Sequence, residues 1–127
     1  MDTIKIGNSG LTSSPIGLGC MGMSEFYGER DDAQSMRTLE RAFELGVTHY
    51  DTSNVYGRGH NEQLLAQFLK SKRSRVTLAS KFGVVRDPTG PQGSTYDRYI
   101  DNSAAYMRQC CEDSLKRLGI ETIDLYY

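Results

Sequence analysis

The sequence has few cysteines and almost no excess charge. Its 127 residues include three cysteines, Cys20, Cys110 and Cys111. An odd number with one adjacent pair fits neither a disulfide framework nor the spacing of zinc ligands, so no metal site is expected. The formal net charge of −1 gives no general attraction for nucleic acid or an anionic membrane surface. We therefore expect a reducing, cytoplasmic setting and no nucleic-acid partner.

Long apolar runs are also missing. No stretch approaches the length needed to cross a bilayer, so no membrane partner is expected. The first ten residues, MDTIKIGNSG, lack the basic patch and following apolar segment of a secretory signal. Hydrophobic residues make up 38% of the chain and charged residues 24%, which is ordinary for a globular protein of one domain.

Short apolar runs alternate with segments of helical periodicity. The first segment predicts a small hairpin, because Ile4 and Ile6 alternate with polar residues and the following Asn-Ser-Gly favours a turn. Further strands are predicted at 16–20, 47–50, 76–81 and 122–127, and helices at 32–45, 61–70 and 103–118. Residues 83–102 are polar and without periodicity, which predicts a long loop over a ligand site.

The alternation of strands and helices predicts an α/β fold with a parallel sheet. Two of the strand intervals are about thirty residues, the size of one strand–helix repeat. A doubly wound sheet and a TIM-type (β/α)8 barrel both fit this order. A complete barrel needs roughly 250 residues, so this length suits about half of one. We expect a partial TIM barrel, with an N-terminal hairpin followed by about four parallel strands and three helices.

Several chemically active side chains stand where predicted strands end. Right-handed crossovers place the carboxyl ends of parallel strands on the same rim, where α/β folds bind their ligands. Cys20, Asp51, Lys81 and the two C-terminal tyrosines are expected on this rim. Tyr56 belongs to the loop after Asp51 and can fold back over it.

Asp51, Tyr56 and Lys81 together suggest proton transfer. A free phenol has a pKa of about 10, and a neighbouring cation favours its ionised form. A tyrosine beside a lysine is therefore a better proton donor near neutral pH, and Asp51 would keep the lysine charged and in place. The residues alone leave a structural alternative open, because aspartate and lysine are common at strand ends and the chain has eight tyrosines.

Four stretches carry a resemblance to a known family. DTSNVYGRGHNEQLL at 51–65 resembles the aldo-keto reductase signature Asp-Thr-Ala-x-x-Tyr-Gly-x-Gly-x-x-Glu-x-x-Leu. ASKFG at 79–83 resembles the family's Thr-Lys-Phe-Gly strand, PIGLGCMGMS at 15–24 its first barrel strand, and SLKRLGIETIDLYY at 114–127 its fourth-strand region. The resemblance implies a TIM barrel with a hairpin across its bottom. It also implies NADPH-dependent reduction of aldehydes or ketones, or the reverse oxidation.

The resemblance also implies roles for individual residues. Tyr56 would be the proton donor, Lys81 the group that adjusts its pKa, and Asp51 the partner of the lysine. Contacts to the cofactor are expected at Gly19, Cys20, Met21 and Asp51.

The family's fourth catalytic residue is a histidine two positions past the strand that ends in Leu-Tyr-Tyr. That position would lie beyond Tyr127. His49 is expected to be a packed strand residue, and His60 a capping or surface group at the start of the second helix. Residues 1–127 are therefore expected to be the N-terminal portion of an aldo-keto reductase barrel whose remainder is absent, with little or no activity alone.

Other interpretations stay open at this point. The chain would also suit a non-catalytic, NADPH-binding regulatory subunit on the same fold, or a truncated product without independent function. A Rossmann-type dinucleotide loop is disfavoured, because Gly17, Gly19 and Gly22 have the spacing but no helix follows at once. The basic run at 70–75 is expected to be a solvated helix end, with phosphate binding as the alternative.

Overall fold

The computed structural model describes residues 1–86 and 98–127. The strands are β1 (Ile4–Lys5), β2 (Thr12–Ser13), β3 (Gly17–Gly19), β4 (His49–Asp51), β5 (Thr77–Ser80), β6 (Val84–Arg86), β7 (Arg98–Ile100) and β8 (Leu125–Tyr126). The helices are α1 (Asp32–Glu44), α2 (His60–Lys72) and α3 (Ala104–Leu118), with short 3₁₀ turns at Met21–Met23, Tyr56–Gly59 and Arg73–Arg75. No helix in these two described ranges is long and apolar enough to cross a membrane.

Local capping determines where the helices begin and end. The Asp31 carboxylate accepts a hydrogen bond of 2.9 Å from the Gln34 amide at the start of α1. The Ser103 hydroxyl accepts one of 3.2 Å from the Tyr106 amide in α3. Each satisfies an amide that has no partner within the first helical turn. Gly119 ends α3 in the left-handed conformation (φ 65°), which glycine adopts without steric cost.

The central sheet has four parallel strands in the order β3-β4-β5-β8. Helices α1, α2 and α3 lie between consecutive strands of this sheet in the chain, so each connection is a strand–helix–strand crossover. The predicted α/β architecture of a hairpin, four parallel strands and three helices is confirmed. All four strands run in one direction, so their carboxyl ends share one rim.

One face of the sheet packs against the helices. Leu18, Tyr50 and Leu78 are in register across β3, β4 and β5. Tyr50 and Leu78 are fully buried, and the Tyr50 ring lies 4.8 Å from the ring of Phe68 on α2. The Tyr50 hydroxyl donates to the backbone oxygen of Leu39 on α1 at 3.3 Å. This side of the sheet holds the hydrophobic core.

The N-terminal hairpin lies at the amino end of the sheet. Strands β1 and β2 pair antiparallel, as predicted. The Thr77 hydroxyl donates to the backbone oxygen of Thr12 at 2.9 Å, which joins β5 to the hairpin. Ser14 and Thr48 exchange hydrogen bonds: the hydroxyl of each accepts from the other's backbone amide, at 2.8 and 2.9 Å. The hairpin is thus fixed at the end of the sheet opposite the rim.

The segment 83–102 is not the uniform loop expected from its sequence. Strands β6 and β7 pair antiparallel, with Val84 opposite Ile100 and Arg86 opposite Arg98. The prediction was wrong for these residues, because each strand is only three residues long and neither has a buried face that would produce an apolar pattern. The rest of the predicted loop, 87–97, lies outside the described residues.

Candidate active site

Three predicted site residues stand on or beside the rim of the sheet. Asp51 is the last residue of β4, and Lys81 directly follows β5. Strands β4 and β5 are neighbours, with Asp51 in register with Ala79. Tyr56 begins the 3₁₀ turn that follows β4. Adjacent strand ends and one short turn therefore supply all three side chains.

The Lys81 ammonium group is the centre of this arrangement. Its Nζ donates to Asp51 Oδ1 at 2.5 Å, to the backbone oxygen of Thr52 at 2.9 Å and to the Tyr56 hydroxyl at 3.1 Å. The three hydrogens of the ammonium group thus have three acceptors. Nζ also lies 4.8 Å from the centroid of the Tyr56 ring. The structure brings Asp51 and Tyr56 each into direct contact with Lys81.

The surroundings of Lys81 keep it charged. Its burial opposes the charge, but the hydrogen bonds to Asp51 and Tyr56 and the nearby carboxylate outweigh burial and raise the pKa of Lys81. The side chains of Asp51 and Lys81 are each 30% exposed, so the ion pair remains open to solvent and to a ligand. The site therefore presents a fixed cation beside a phenol.

Left-handed backbone conformations form the turn that carries Tyr56. Gly57, Arg58 and Gly59 have φ values of 57°, 55° and 95°. A Cβ on Gly57 would lie 2.9 Å from the Cβ of Ser24, so the turn passes too close to the loop after β3 for a side chain at this position. The left-handed conformation favours glycine at position 57, and the lack of space beside Ser24 requires it.

Asn61 links the start of α2 to the segments that follow β3 and β4. It is fully buried, and its Nδ2 donates to the backbone oxygen of Cys20 and to the Ser24 hydroxyl, both at 2.8 Å. Its Oδ1 accepts from the Thr52 hydroxyl at 2.6 Å. Sequence reasoning missed this residue. Its position in the first turn of a helix directly after the Tyr-Gly-x-Gly turn was the available signal.

His60 differs from the predicted capping or surface group. Its side chain is 16% exposed, and the residue before it, Gly59, occupies the N-cap position of α2. Nδ1 lies 2.8 Å from the Ser24 hydroxyl, and Nε2 lies 3.0 Å from a carboxylate oxygen of Asp32. His60 therefore bridges the loop after β3 and the start of α1, because the fold brings both next to α2.

The predicted cofactor residues Gly19, Cys20 and Met21 lie at the end of β3. Gly19 is in register with Asp51, and a Cβ built on it would meet nothing within 4 Å. Cys20 is fully buried, and its burial, aided by the negative charge of Asp51, raises the thiol pKa to about 12. The Cys20 amide donates to the Asp51 backbone oxygen at 2.9 Å. Cys20 is thus a protonated, enclosed thiol, which removes it as a nucleophile.

A cavity of about 530 Å³ adjoins these residues on the sheet face away from the helices. Gly17, Gly19, His49 and Asp51 line it, together with residues of the N-terminal hairpin. The half-buried His49 therefore faces this cavity. A larger cavity of about 630 Å³ lies near the C-terminal ends of α2 and α3, and none of the predicted site residues lines it. Of the three residues Asp51, Tyr56 and Lys81, the smaller cavity is lined by Asp51 alone. We therefore place the candidate site at the rim, where Lys81 contacts Asp51 and Tyr56, and not at the centre of either cavity.

Two side chains of the basic run at 70–75 have carboxylate partners. Lys72 Nζ lies 2.8 Å from Glu40, and Arg73 lies 2.9 Å from Asp124. These pairs anchor the end of α2 to α1 and to the segment before β8. The expectation of a simply solvated helix end was incomplete, and the pairing gives no support to phosphate binding. Across the described ranges 1–86 and 98–127, no cluster of His, Cys, Asp and Glu suits a metal ion.

Comparison with known proteins decides the family. The aldo/keto reductase family model matches residues 15–127. The chain belongs to the aldo-keto reductase family. A probable aldo-keto reductase of Glycine max is 37% identical over 126 residues, and the NADP(+) aldo-keto reductase yakc of Schizosaccharomyces pombe is 39% identical over 127 residues. Each match covers 98% of this chain and 35% of the relative, so this chain spans about a third of the length of these relatives.

Solved structures agree with this assignment. The holo form of an aldo-keto reductase from Bacillus halodurans matches with a TM-score of 0.85 and 35% identity, over 99% of this chain and 39% of that one. The glycerol dehydrogenase of Gluconobacter oxydans matches with a TM-score of 0.83 and 32% identity, over 98% and 38%. The fold of this aldo-keto reductase chain is therefore a partial TIM barrel and not a doubly wound sheet. The 3₁₀ turn Met21–Met23 after β3, in place of a helix, also excludes a Rossmann-type loop.

Proposed function

We propose that this aldo-keto reductase chain supplies the proton-donating site for NADPH-dependent reduction of aldehydes or ketones to alcohols. The observation that carries the proposal is the Lys81 ammonium group, which contacts the Tyr56 hydroxyl at 3.1 Å and the Asp51 carboxylate at 2.5 Å. A small carbonyl compound would bind with its oxygen at the Tyr56 hydroxyl. A positioned acid of this kind accelerates proton transfer in the transition state.

Each of the three side chains has a distinct task in the proposal. Tyr56 donates its hydroxyl proton to the carbonyl oxygen as negative charge develops there. Lys81 stabilises the resulting phenolate, because a fixed cation within hydrogen-bond distance favours the charged form. Asp51 holds the lysine in place, and the Thr52 oxygen orients a further ammonium hydrogen. The reverse reaction, oxidation of an alcohol, uses the same groups with Tyr56 accepting the proton.

The residues at the end of β3 fit the reactive end of a nicotinamide cofactor. The backbone at Gly19 is open, and Asp51 lies in register beside it, on the 530 Å³ cavity. A glycine at this position lets a planar ring approach the backbone closely. Gly19, Cys20, Met21 and Asp51 would hold the nicotinamide end of NADPH, which supplies the hydride when bound. The name of the Schizosaccharomyces pombe relative, which includes NADP(+), supports the phosphorylated cofactor.

We also propose that residues 1–127 form the N-terminal portion of a larger barrel and need further strands for turnover. The support is that this chain aligns with 35% of the length of each of the relatives from Glycine max and Schizosaccharomyces pombe. The three free cysteines support a reducing, cytoplasmic setting.

The test uses a completed chain, in which residues 1–127 are followed by the C-terminal remainder of the Bacillus halodurans relative. Consumption of NADPH is measured with para-nitrobenzaldehyde for the completed chain and its Tyr56→Phe variant. We expect Tyr56→Phe to lower kcat by about 10² to 10⁴-fold, the range for loss of a general acid. Tyr99→Phe is the control, since Tyr99 is 61% exposed on β7.

Retained turnover in Tyr56→Phe would contradict the role of Tyr56. NADPH binding without turnover in the completed chain would instead favour a non-catalytic regulatory protein. The 127-residue chain alone is expected to show no turnover above background, and robust turnover by it would contradict the need for further strands.

A further inference from the structure

Glu62 is a buried carboxylate that the proposed chemistry does not use. It lies in the first turn of α2 and is fully buried. Oε1 accepts a hydrogen bond from the Ser80 hydroxyl at 2.7 Å, and Oε2 accepts one from Arg117 Nε at 2.7 Å. A buried charge is costly unless it is paired and hydrogen-bonded, and both oxygens of Glu62 are. We call the contact between Glu62 and Arg117 the Glu62–Arg117 pair.

One side of the pair is attached to the strand that carries Lys81. Ser80 is the last residue of β5 and directly precedes Lys81. Its side chain is fully buried and in register with Tyr126 of β8. The hydrogen bond from Ser80 to Glu62 therefore fixes the end of β5 relative to α2, on the helix side of the sheet. A shift of Glu62 would be passed to Lys81 through a single peptide unit.

The other side of the pair supports the turn that carries Tyr56. A Cβ on Gly59 would lie 2.9 Å from Arg117 Cδ and 3.3 Å from Nε, so the arginine side chain packs directly against this glycine. Gly59 is the last residue of the Tyr56–Gly59 turn. Arg117 also donates to the Ser114 hydroxyl at 3.3 Å, which anchors it within α3.

Stability alone is a weak reason for such a pair. Desolvation of two charges offsets much of their attraction, and apolar residues of similar volume often stabilise a protein equally well. The pair does, however, join the two elements whose side chains meet at the 3.1 Å contact between Tyr56 and Lys81. A carboxylate held by one charge-assisted hydrogen bond from Arg117 and one hydrogen bond from Ser80 constrains positions more narrowly than an apolar contact does.

We propose that Glu62 and Arg117 are positioning residues that hold the Tyr56 hydroxyl against the Lys81 ammonium group. This inference rests on the proposed function of Tyr56 and Lys81. Neither positioning residue touches the cavity beside Asp51, so both act through the turn and the strand.

The first test is Glu62→Gln in the completed chain. Glutamine keeps the shape and can still accept from Ser80, but it removes the charge that pairs with Arg117. We expect kcat to fall by about 10 to 100-fold, because displacements of about 1 Å at a reacting centre have effects of this size. KM should stay unchanged and the pH profile of kcat should shift.

Asp124→Asn is the matched control. Asp124 pairs with Arg73 at 2.9 Å and is also mostly buried, but it lies next to the amino end of β5. We expect this substitution to lower the melting temperature without changing kcat per folded molecule or its pH profile. If Glu62→Gln behaves in the same way as Asp124→Asn, the positioning role is refuted and the pair is only structural.

Two further variants decide the question if Glu62→Gln does not fold. Arg117→Lys keeps the positive charge but loses the Nε hydrogen bond to Glu62, and its kcat should lie between that of the parent and that expected for Glu62→Gln. Ser80→Ala removes the hydrogen bond between β5 and Glu62 without altering any charge, and it should lower kcat more than it raises KM. Unchanged kcat in both variants would overturn the inference.

Tyr56→Phe measured in parallel separates the two proposals. Loss of activity in Tyr56→Phe with full activity in Glu62→Gln would reject the positioning role alone. Full activity in Tyr56→Phe would reject the proposed function, and the positioning role with it.

Discussion

The two ends of the parallel sheet use similar polar residues in different ways. At the amino end, Ser14 and Thr48 satisfy each other's backbone amides, and the Thr77 hydroxyl donates to the backbone of the hairpin. At the carboxyl end, Lys81 donates to the side chains of Asp51 and Tyr56. Ser14 is 6% exposed and Thr77 7%, whereas the Lys81 side chain is 30% exposed.

This difference separates a structural role from a chemical one. Polar groups bonded to backbone and closed off from solvent have no capacity left for a ligand, so their contribution is to stability. Titratable side chains bonded to each other, and open to solvent, can exchange protons with a bound molecule. We therefore expect substitutions at the carboxyl end to change activity, and substitutions at the amino end to change the free energy of unfolding.

The largest expected effect is on activity at the carboxyl end. Lys81→Met removes the cation beside Tyr56, and we expect carbonyl reduction by the completed chain to fall by about 10² to 10⁴-fold. Arg73→Met removes a cation near the amino end of β5 and should leave kcat per folded molecule unchanged. Steady-state kinetics with NADPH and para-nitrobenzaldehyde compare the two. Equal losses of activity in Lys81→Met and Arg73→Met would contradict the different roles assigned to the two ends of the sheet.

The next effect is on stability at the amino end. Ser14→Ala removes the acceptor for the Thr48 amide, which is part-buried, and leaves that amide unsatisfied. We expect the free energy of unfolding to fall by about 1–3 kcal/mol in urea denaturation. Ser9→Ala in the exposed hairpin turn is the control and should change it much less. A loss of catalytic rate without a loss of stability in Ser14→Ala would contradict the assignment.

A pH titration tests the carboxyl end by itself. The folded protein raises the pKa of Lys81, mainly because hydrogen bonds to Asp51 and Tyr56 outweigh its burial. The charged lysine therefore stabilises the fold below its unfolded pKa of about 10.4, and this contribution disappears as pH rises through the higher folded pKa. The stability difference between the parent and Lys81→Met should be constant from neutral pH to about pH 10 and then shrink. A stability difference that grows as the pH rises above about 10 would contradict a raised pKa of Lys81.

The smallest effect is expected at Tyr126, which lies next to the rim on the face of the sheet that packs against the helices. Among the described residues its hydroxyl is buried without a hydrogen-bond partner, and its burial raises its pKa. Tyr126→Phe removes this unsatisfied group and keeps the ring stacked 5.5 Å from Phe82. We expect the free energy of unfolding to rise by about 1 kcal/mol in urea denaturation. Tyr127→Phe, at an exposed position, is the control, and a clear loss of stability in Tyr126→Phe would show that the hydroxyl has a partner.

The sequence predicted the elements well where periodicity and capping signals agree. Helix α1 was expected at 32–45 and occupies Asp32–Glu44, because Asp31 caps its start and a glycine follows its end. The contact of Asp51, Tyr56 and Lys81 could be anticipated, because neighbouring parallel strands end on one rim. Their catalytic and cofactor roles stay predictions until they are measured.

Contacts between distant segments could not be read from local pattern. Glu62 and Arg117 are separated by 55 positions, and only the packing of α2 on α3 brings them together. A local sign was present, since Glu62 stands three and seven residues before Leu65 and Leu69 on the buried side of α2. A charged residue in such a stripe indicates a buried partner without identifying it.

The position of Asp51, Tyr56 and Lys81 within one strand–helix–strand unit has a consequence for the order of folding. Asp51 and Lys81 are 30 positions apart in sequence, and the pairing of β4 with β5 around α2 is enough to bring them together. Closing a loop of this size costs little more entropy than closing a shorter one. The contact between Asp51 and Lys81 can therefore form as soon as this one unit has formed, before β8 pairs with β5. Its formation requires contacts between segments that are close in sequence, whereas completion of a barrel requires contacts between distant segments.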